Sequence, residues 1–207
     1  MLTHLRQQLH RRRKSQRYGY LEELLENQRL DRRQLLARQQ RELAAIVDFA
    51  VNNTDYYRRS HAWALQQGAG ADLVQGLPVL HKRDVVRHRE ELVARGLDKA
   101  RLRIGHTGGS PGRPLSFYYD SRKIELMRAG MMRSYMWSGW RPGERILNFW
   151  GARQDLKGAS RLARRLKEFV AAEATIGAYD FSEEQLHGWA RRVQRYRPVL
   201  LQGYASI

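Results

Sequence analysis

The chain contains no cysteine among its 207 residues, which excludes disulfides and thiolate metal sites. Acidic residues are also scarce, with 21 Asp and Glu against 38 Lys and Arg. No apolar run approaches the roughly 18 to 20 residues of a membrane span, and the basic segment Arg11–Lys14 is not followed by an apolar stretch of the signal-peptide kind. A soluble, cytoplasmic protein is the expectation. Two nucleotide signatures are missing as well: neither a Walker loop ending in Gly-Lys-Ser/Thr nor a G-x-G-x-x-G fingerprint occurs.

What the chain does carry is positive charge, +17 in all with an isoelectric point near 10.8. Such a field attracts nucleic acid, acidic membrane surfaces and anionic cofactors without choosing among them. The arginines are spread along the sequence, so a solvated basic surface is the first reading and a non-catalytic polyanion-binding or interaction module the second. Nucleic acid stays a secondary partner, because the aromatics sit at core-like spacings rather than along a basic stripe.

A hydrophobic content of 42% supports one sizeable domain or part of a larger one. Residues 1–19 read as a basic, flexible N-terminus, frayed or extended, 20–100 as a helical region, and 101–207 as an α/β subdomain. In the helical region, Leu21, Leu24, Leu25, Leu35, Leu36, Leu43, Ile46 and Val47 recur at helical spacing, predicting one long or two shorter amphipathic helices up to Asn52. Asn52–Asp55 reads as a turn, Gly68–Gly76 as a loop, Leu77–Leu80 as extended, and Lys82–Arg95 as a basic helix with Asp84 as a weak cap.

Strands alternate with helices in the subdomain. A helix from Asp120 or Ser121 is expected to bury Ile124, Met127, Met131 and Tyr135. Arg145–Trp150 reads as a buried strand after the Pro142-Gly143 turn, 159–170 as a basic helix, and 174–179 as a short strand. Ser182 and Gln185 form a capping box for a helix with Leu186, Trp189, Ala190, Val193 and Tyr196 on one face; Pro198 stops it and Val199–Leu201 is a further strand. The expected architecture is a mostly parallel sheet flanked by helices. Gly203–Ile207 leaves that last strand with no polar tail, so the chain is expected to stop within its fold.

The chemistry concentrates in Thr107-Gly108-Gly109-Ser110-Pro111-Gly112-Arg113-Pro114, set between two alternating segments, Arg101–Ile104 and Leu115–Asp120. Glycines let the backbone approach a ligand, and consecutive amides with the Thr107 and Ser110 hydroxyls can face one anion. Pro111 and Pro114 remove two donors and stiffen the loop. His106 is either a ligand contact or a hydrogen-bonded strand residue. Gly108–Gly112 also matches G-x-S-x-G, which would make Ser110 a hydrolase nucleophile with Asp155 or Asp180 and His187. That elbow needs a helix after the serine, whereas a strand pattern follows. An empty hairpin turn is the plain alternative.

The octapeptide resembles the Thr-Ser/Gly-Gly-Ser/Thr-Thr-Gly-x-Pro phosphate loop of adenylate-forming enzymes, in their phenylacetate-CoA ligase-like branch. Three further segments are similar to that branch in the same order: Asn52–Arg58, Leu77–Lys82 and Arg197–Ser206. Together the four span about residues 40 to 207.

The resemblance implies the N-terminal part of such an enzyme's large domain. It also implies an ATP-dependent ligase in which a carboxylic acid attacks the α-phosphate of Mg-ATP, giving an acyl-adenylate, with coenzyme A as one acceptor. Thr107, Gly108, Gly109, Ser110, Gly112 and Arg113 would hold the β- and γ-phosphates. Tyr204 would line the acid pocket or simply pack. Pro111 stands where the family has a hydroxyl residue and Leu115 where many relatives have lysine. The Mg2+-binding, ribose-binding and catalytic lysine residues are expected beyond Ile207, so no catalytic residue and no metal ligand is assigned, and the 207 residues alone are expected to lack turnover.

Overall fold

A computed structural model of the chain describes residues 2–61, 79–107, 114–150, 168–178 and 182–203. It is a mixed α/β protein with a small parallel sheet, and it divides into two compact units, residues 26–124 and residues 1–25 with 125–207. No helix among the described residues is long and apolar enough to cross a membrane.

Helices α1 (Leu2–Arg13) and α2 (Ser15–Asn27) open the chain. Of the two expectations for the N-terminus, frayed or extended, the extended one is therefore not found. Its helicity comes from tertiary contact: Tyr18 and Leu21 of α2 join Ala129, Met132, Trp140 and Ile146 in the main buried cluster of this unit. Arg17 and Lys14 also reach Glu125, at 2.8 and 3.1 Å.

Glu125 lies on α6 (Ser121–Trp137), started by Asp120, whose carboxylate accepts the Lys123 amide at 2.8 Å. The buried face of α6 follows the expected one in part, since Ile124 and Met131 are half-buried. Ala129 and Met132 are buried, Tyr135 is partly so, and Met127 is 47% exposed. Ala129 is the small residue that lets α2 approach, so the contact stripe is centred there.

The sheet consists of β3 (Ile146–Trp150), β4 (Glu173–Gly177) and β5 (Leu200–Gly203), all parallel, in the order β4-β3-β5. Central β3 has partners on both sides: Ile146 lies opposite Glu173 and Leu200, and Phe149 opposite Ile176 and Gly203. This placement explains its apolar run and the burial of Ile146 and Leu147. Between β4 and β5 runs α7 (Glu183–Tyr196), with the expected capping box: Gln185 N donates to Ser182 Oγ at 3.3 Å and Ser182 N to Gln185 Oε1 at 3.0 Å. Its apolar face is only partly covered. Trp189 meets Phe149 edge to face and Val193 and Tyr196 are half-buried, while Leu186 and Ala190 are exposed.

In the other unit, α3 (Arg32–Asn53) begins at a capping box that the hydrophobic spacing alone did not reveal, with Asp31 accepting the Gln34 amide at 2.8 Å. Buried Thr54 separates it from α4 (Asp55–His61), its hydroxyl donating to Ala50 O and accepting from Tyr57 N. Helix α5 (Lys82–Arg87) stops at Arg87 rather than Arg95. Beyond it, backbone groups serve the α3–α4 junction instead: Tyr56 N bonds Glu91 O at 3.1 Å and Arg95 N bonds Asn53 O at 2.7 Å.

Candidate functional site

After a single 3-10 turn at Lys99–Arg101, strands β1 (Arg103–His106) and β2 (Ser116–Tyr119) pair antiparallel, from Arg103 opposite Tyr119 to His106 opposite Ser116. Just past the last pair, Thr107 N donates to Leu115 O at 2.9 Å, and Leu115 N donates to Thr107 Oγ1 at 3.0 Å. Both ends of the glycine-rich loop are thereby tied together. Because Thr107 Oγ1 accepts within the hairpin, its own proton is left to donate elsewhere.

His106 Nδ1 and Ser116 Oγ are 2.9 Å apart across the strands, so His106 is found as a hydrogen-bonded strand residue. Gly105 is required beside it: a side-chain carbon there would stand 2.9 Å from ring atoms of both Phe117 and Tyr119. Lys123 Nζ lies 5.2 and 4.8 Å from the centres of those two rings.

On β2, Tyr118 points to a different anchor. Its hydroxyl donates to Glu90 at 3.1 Å, Arg89 lies over its ring, and Lys99 Nζ bonds Glu90 at 2.5 Å. The Lys99 hydrogen bond, with those from Tyr118 and Arg89, outweighs desolvation and holds the Glu90 carboxyl below its usual range, so it is the carboxylate that braces the strand. Glu90 and Lys123 were not singled out from sequence. They reach the hairpin across turns and helix starts, where no fixed spacing marks them.

Of the residues expected to hold phosphates, Thr107 stands at the hairpin mouth. Gly108, Gly109, Ser110, Gly112 and Arg113 lie outside the described residues, as do Tyr204, Asp155 and Asp180. His187 is an exposed residue of α7. The hairpin bears on the hydrolase alternative, because a strand rather than a helix follows the serine segment.

A tied hairpin with a spare hydroxyl proton suits a phosphate, which only accepts hydrogen bonds. Among the described residues, no three His, Asp or Glu come together as a metal site, so Mg2+ ligands are not assigned. No protein-family model matches the chain, and a search of curated proteins finds no match.

Proposed function

We propose that the chain is part of an ATP-dependent carboxylic acid ligase of the adenylate-forming kind, in which residues 107–114 hold the nucleotide's phosphates. The observation that carries the reading is the double tie between Thr107 and Leu115, which fixes both ends of the loop and leaves the Thr107 proton for an acceptor. The order of the four similar segments and the parallel sheet after the hairpin support it further.

In this reading Thr107 and Ser110 donate hydroxyl protons, the amides of Gly108, Gly109 and Gly112 donate alongside them, and Arg113 supplies charge. ATP brings the adenylyl group, whose α-phosphorus the acid attacks with release of pyrophosphate; the loop positions the departing β- and γ-phosphates and neutralises their charge. The acid substrate and the acceptor, coenzyme A or another nucleophile, belong to the same proposal.

Hydrogen–deuterium exchange tests the loop's role. ATP is expected to slow exchange of the amides between Thr107 and Leu115, and AMP, which lacks the β- and γ-phosphates, to leave them unchanged. Equal exchange with and without ATP would overturn the assignment.

A further inference from the structure

Arg6 is 7% exposed, and its buried Nε has no hydrogen-bond partner. Its guanidinium carbon lies 4.7 Å from the centre of the Phe169 ring. Next to Phe169, Glu168 approaches Arg192 at 3.8 Å. One turn along α7 from Arg192 is Tyr196, whose carbonyl oxygen accepts from Arg145 Nη1 at 2.6 Å and whose ring lies 5.6 Å from the Arg145 guanidinium carbon.

Tyr196 is thereby surrounded by Arg145, Arg6 and Arg192, from the residue before β3, from α1 and from α7, with Glu168 the carboxylate among the described residues around it. Burial, and then the neighbouring Arg145, push the Arg6 guanidinium below its ordinary pKa, as expected where like charges crowd. The buried Arg192 Nε and the Tyr196 hydroxyl also lack partners. Buried donors left unmet are uncommon, and three of those among the described residues, Arg6 Nε, Arg192 Nε and the Tyr196 hydroxyl, belong to this group.

We propose that this cluster is an anion site for a phosphate group, bound by the guanidinium groups of Arg6, Arg145 and Arg192 and by the Tyr196 hydroxyl. Planar guanidinium groups donate in pairs to phosphate oxygens, and among the described residues a dianion answers the excess of three positive groups over one carboxylate. A monocarboxylate would leave part of that excess in place. The site is independent of the glycine-rich loop and of the ligase reading.

Thermal melting with inorganic phosphate replacing chloride at constant ionic strength tests it. The melting temperature should rise saturably with phosphate, equally so in Thr107→Val, and acetate should not reproduce the rise. Tyr196→Phe and Arg6→Met should each raise the apparent Kd for phosphate at least tenfold. Arg101→Met removes the same charge from a side chain 87% exposed and should leave that Kd unchanged. Should Arg6→Met fail to fold, Tyr196→Phe decides alone.

Glycerol 3-phosphate serves as a second probe. If it binds as inorganic phosphate does, the natural ligand is a phosphate ester; if only inorganic phosphate binds, it is the free ion. The proposal is overturned if phosphate produces no rise, if Tyr196→Phe binds phosphate as the wild type does, or if Arg101→Met weakens binding as much as Arg6→Met.

Discussion

The carbonyl oxygen of Thr3 stands where a side-chain carbon on Gly143 would have to go. Gly143 itself sits at φ 93°, in the turn before β3, a conformation that side chains resist. Space and backbone therefore ask for glycine together, and the turn is the seat on which α1 rests.

Gly143→Ala should cost about 3 kcal/mol, combining strain at positive φ with a displaced α1. Urea denaturation followed by circular dichroism reads the loss. An unchanged midpoint would mean that α1 does not depend on this contact.

A second prediction concerns pH. His10 shares a 3.1 Å hydrogen bond with the Tyr18 hydroxyl. Burial, and then the charges of Arg17 and Lys14, push its imidazole from 6.5 down to about 4. The unfolded chain thus takes up the proton first as pH falls, so the His10 contribution is complete above about 6.5 and is lost progressively down to about 4. Allowing for solvent screening, the loss is on the order of 1–2 kcal/mol. His10→Gln, which keeps a hydrogen-bonding side chain, should flatten the stability profile in that window; an identical slope in wild type and variant would contradict the assignment.

The strands and the last long helix were legible because their signals are local. Alternation marked β1 and β2, the apolar run marked β3, and Ser182 with Gln185 marked the start of α7. What escaped was set by distant contacts. Nothing local in residues 2–13 marks a helix that rests on Gly143, and the buried stripe of α6 follows from the approach of α2 to Ala129. Likewise α5 stops early because Glu91 and Arg95 give backbone groups to the α3–α4 junction. At the candidate site, the hairpin and Thr107 were readable from composition and alternation, whereas the bracing by Glu90 and Lys123 was not.

Thr107 carries the most direct test, because its substitution can remove a donor without altering charge. Thr107→Val deletes the hydroxyl while keeping the Thr107 amide bond to Leu115 O, and Thr107→Ser keeps the hydroxyl. A hydrogen bond to a charged phosphate contributes about 1.5–3 kcal/mol, which corresponds to roughly a 10- to 100-fold change in affinity.

The decisive measurement is therefore the ATP dissociation constant of the purified chain by titration calorimetry at fixed salt. The account predicts a Kd raised at least about tenfold in Thr107→Val and close to wild type in Thr107→Ser. An unchanged Kd in Thr107→Val, with affinity that falls steeply as salt rises, would place ATP on the general positive field of the chain and contradict the phosphate-loop reading.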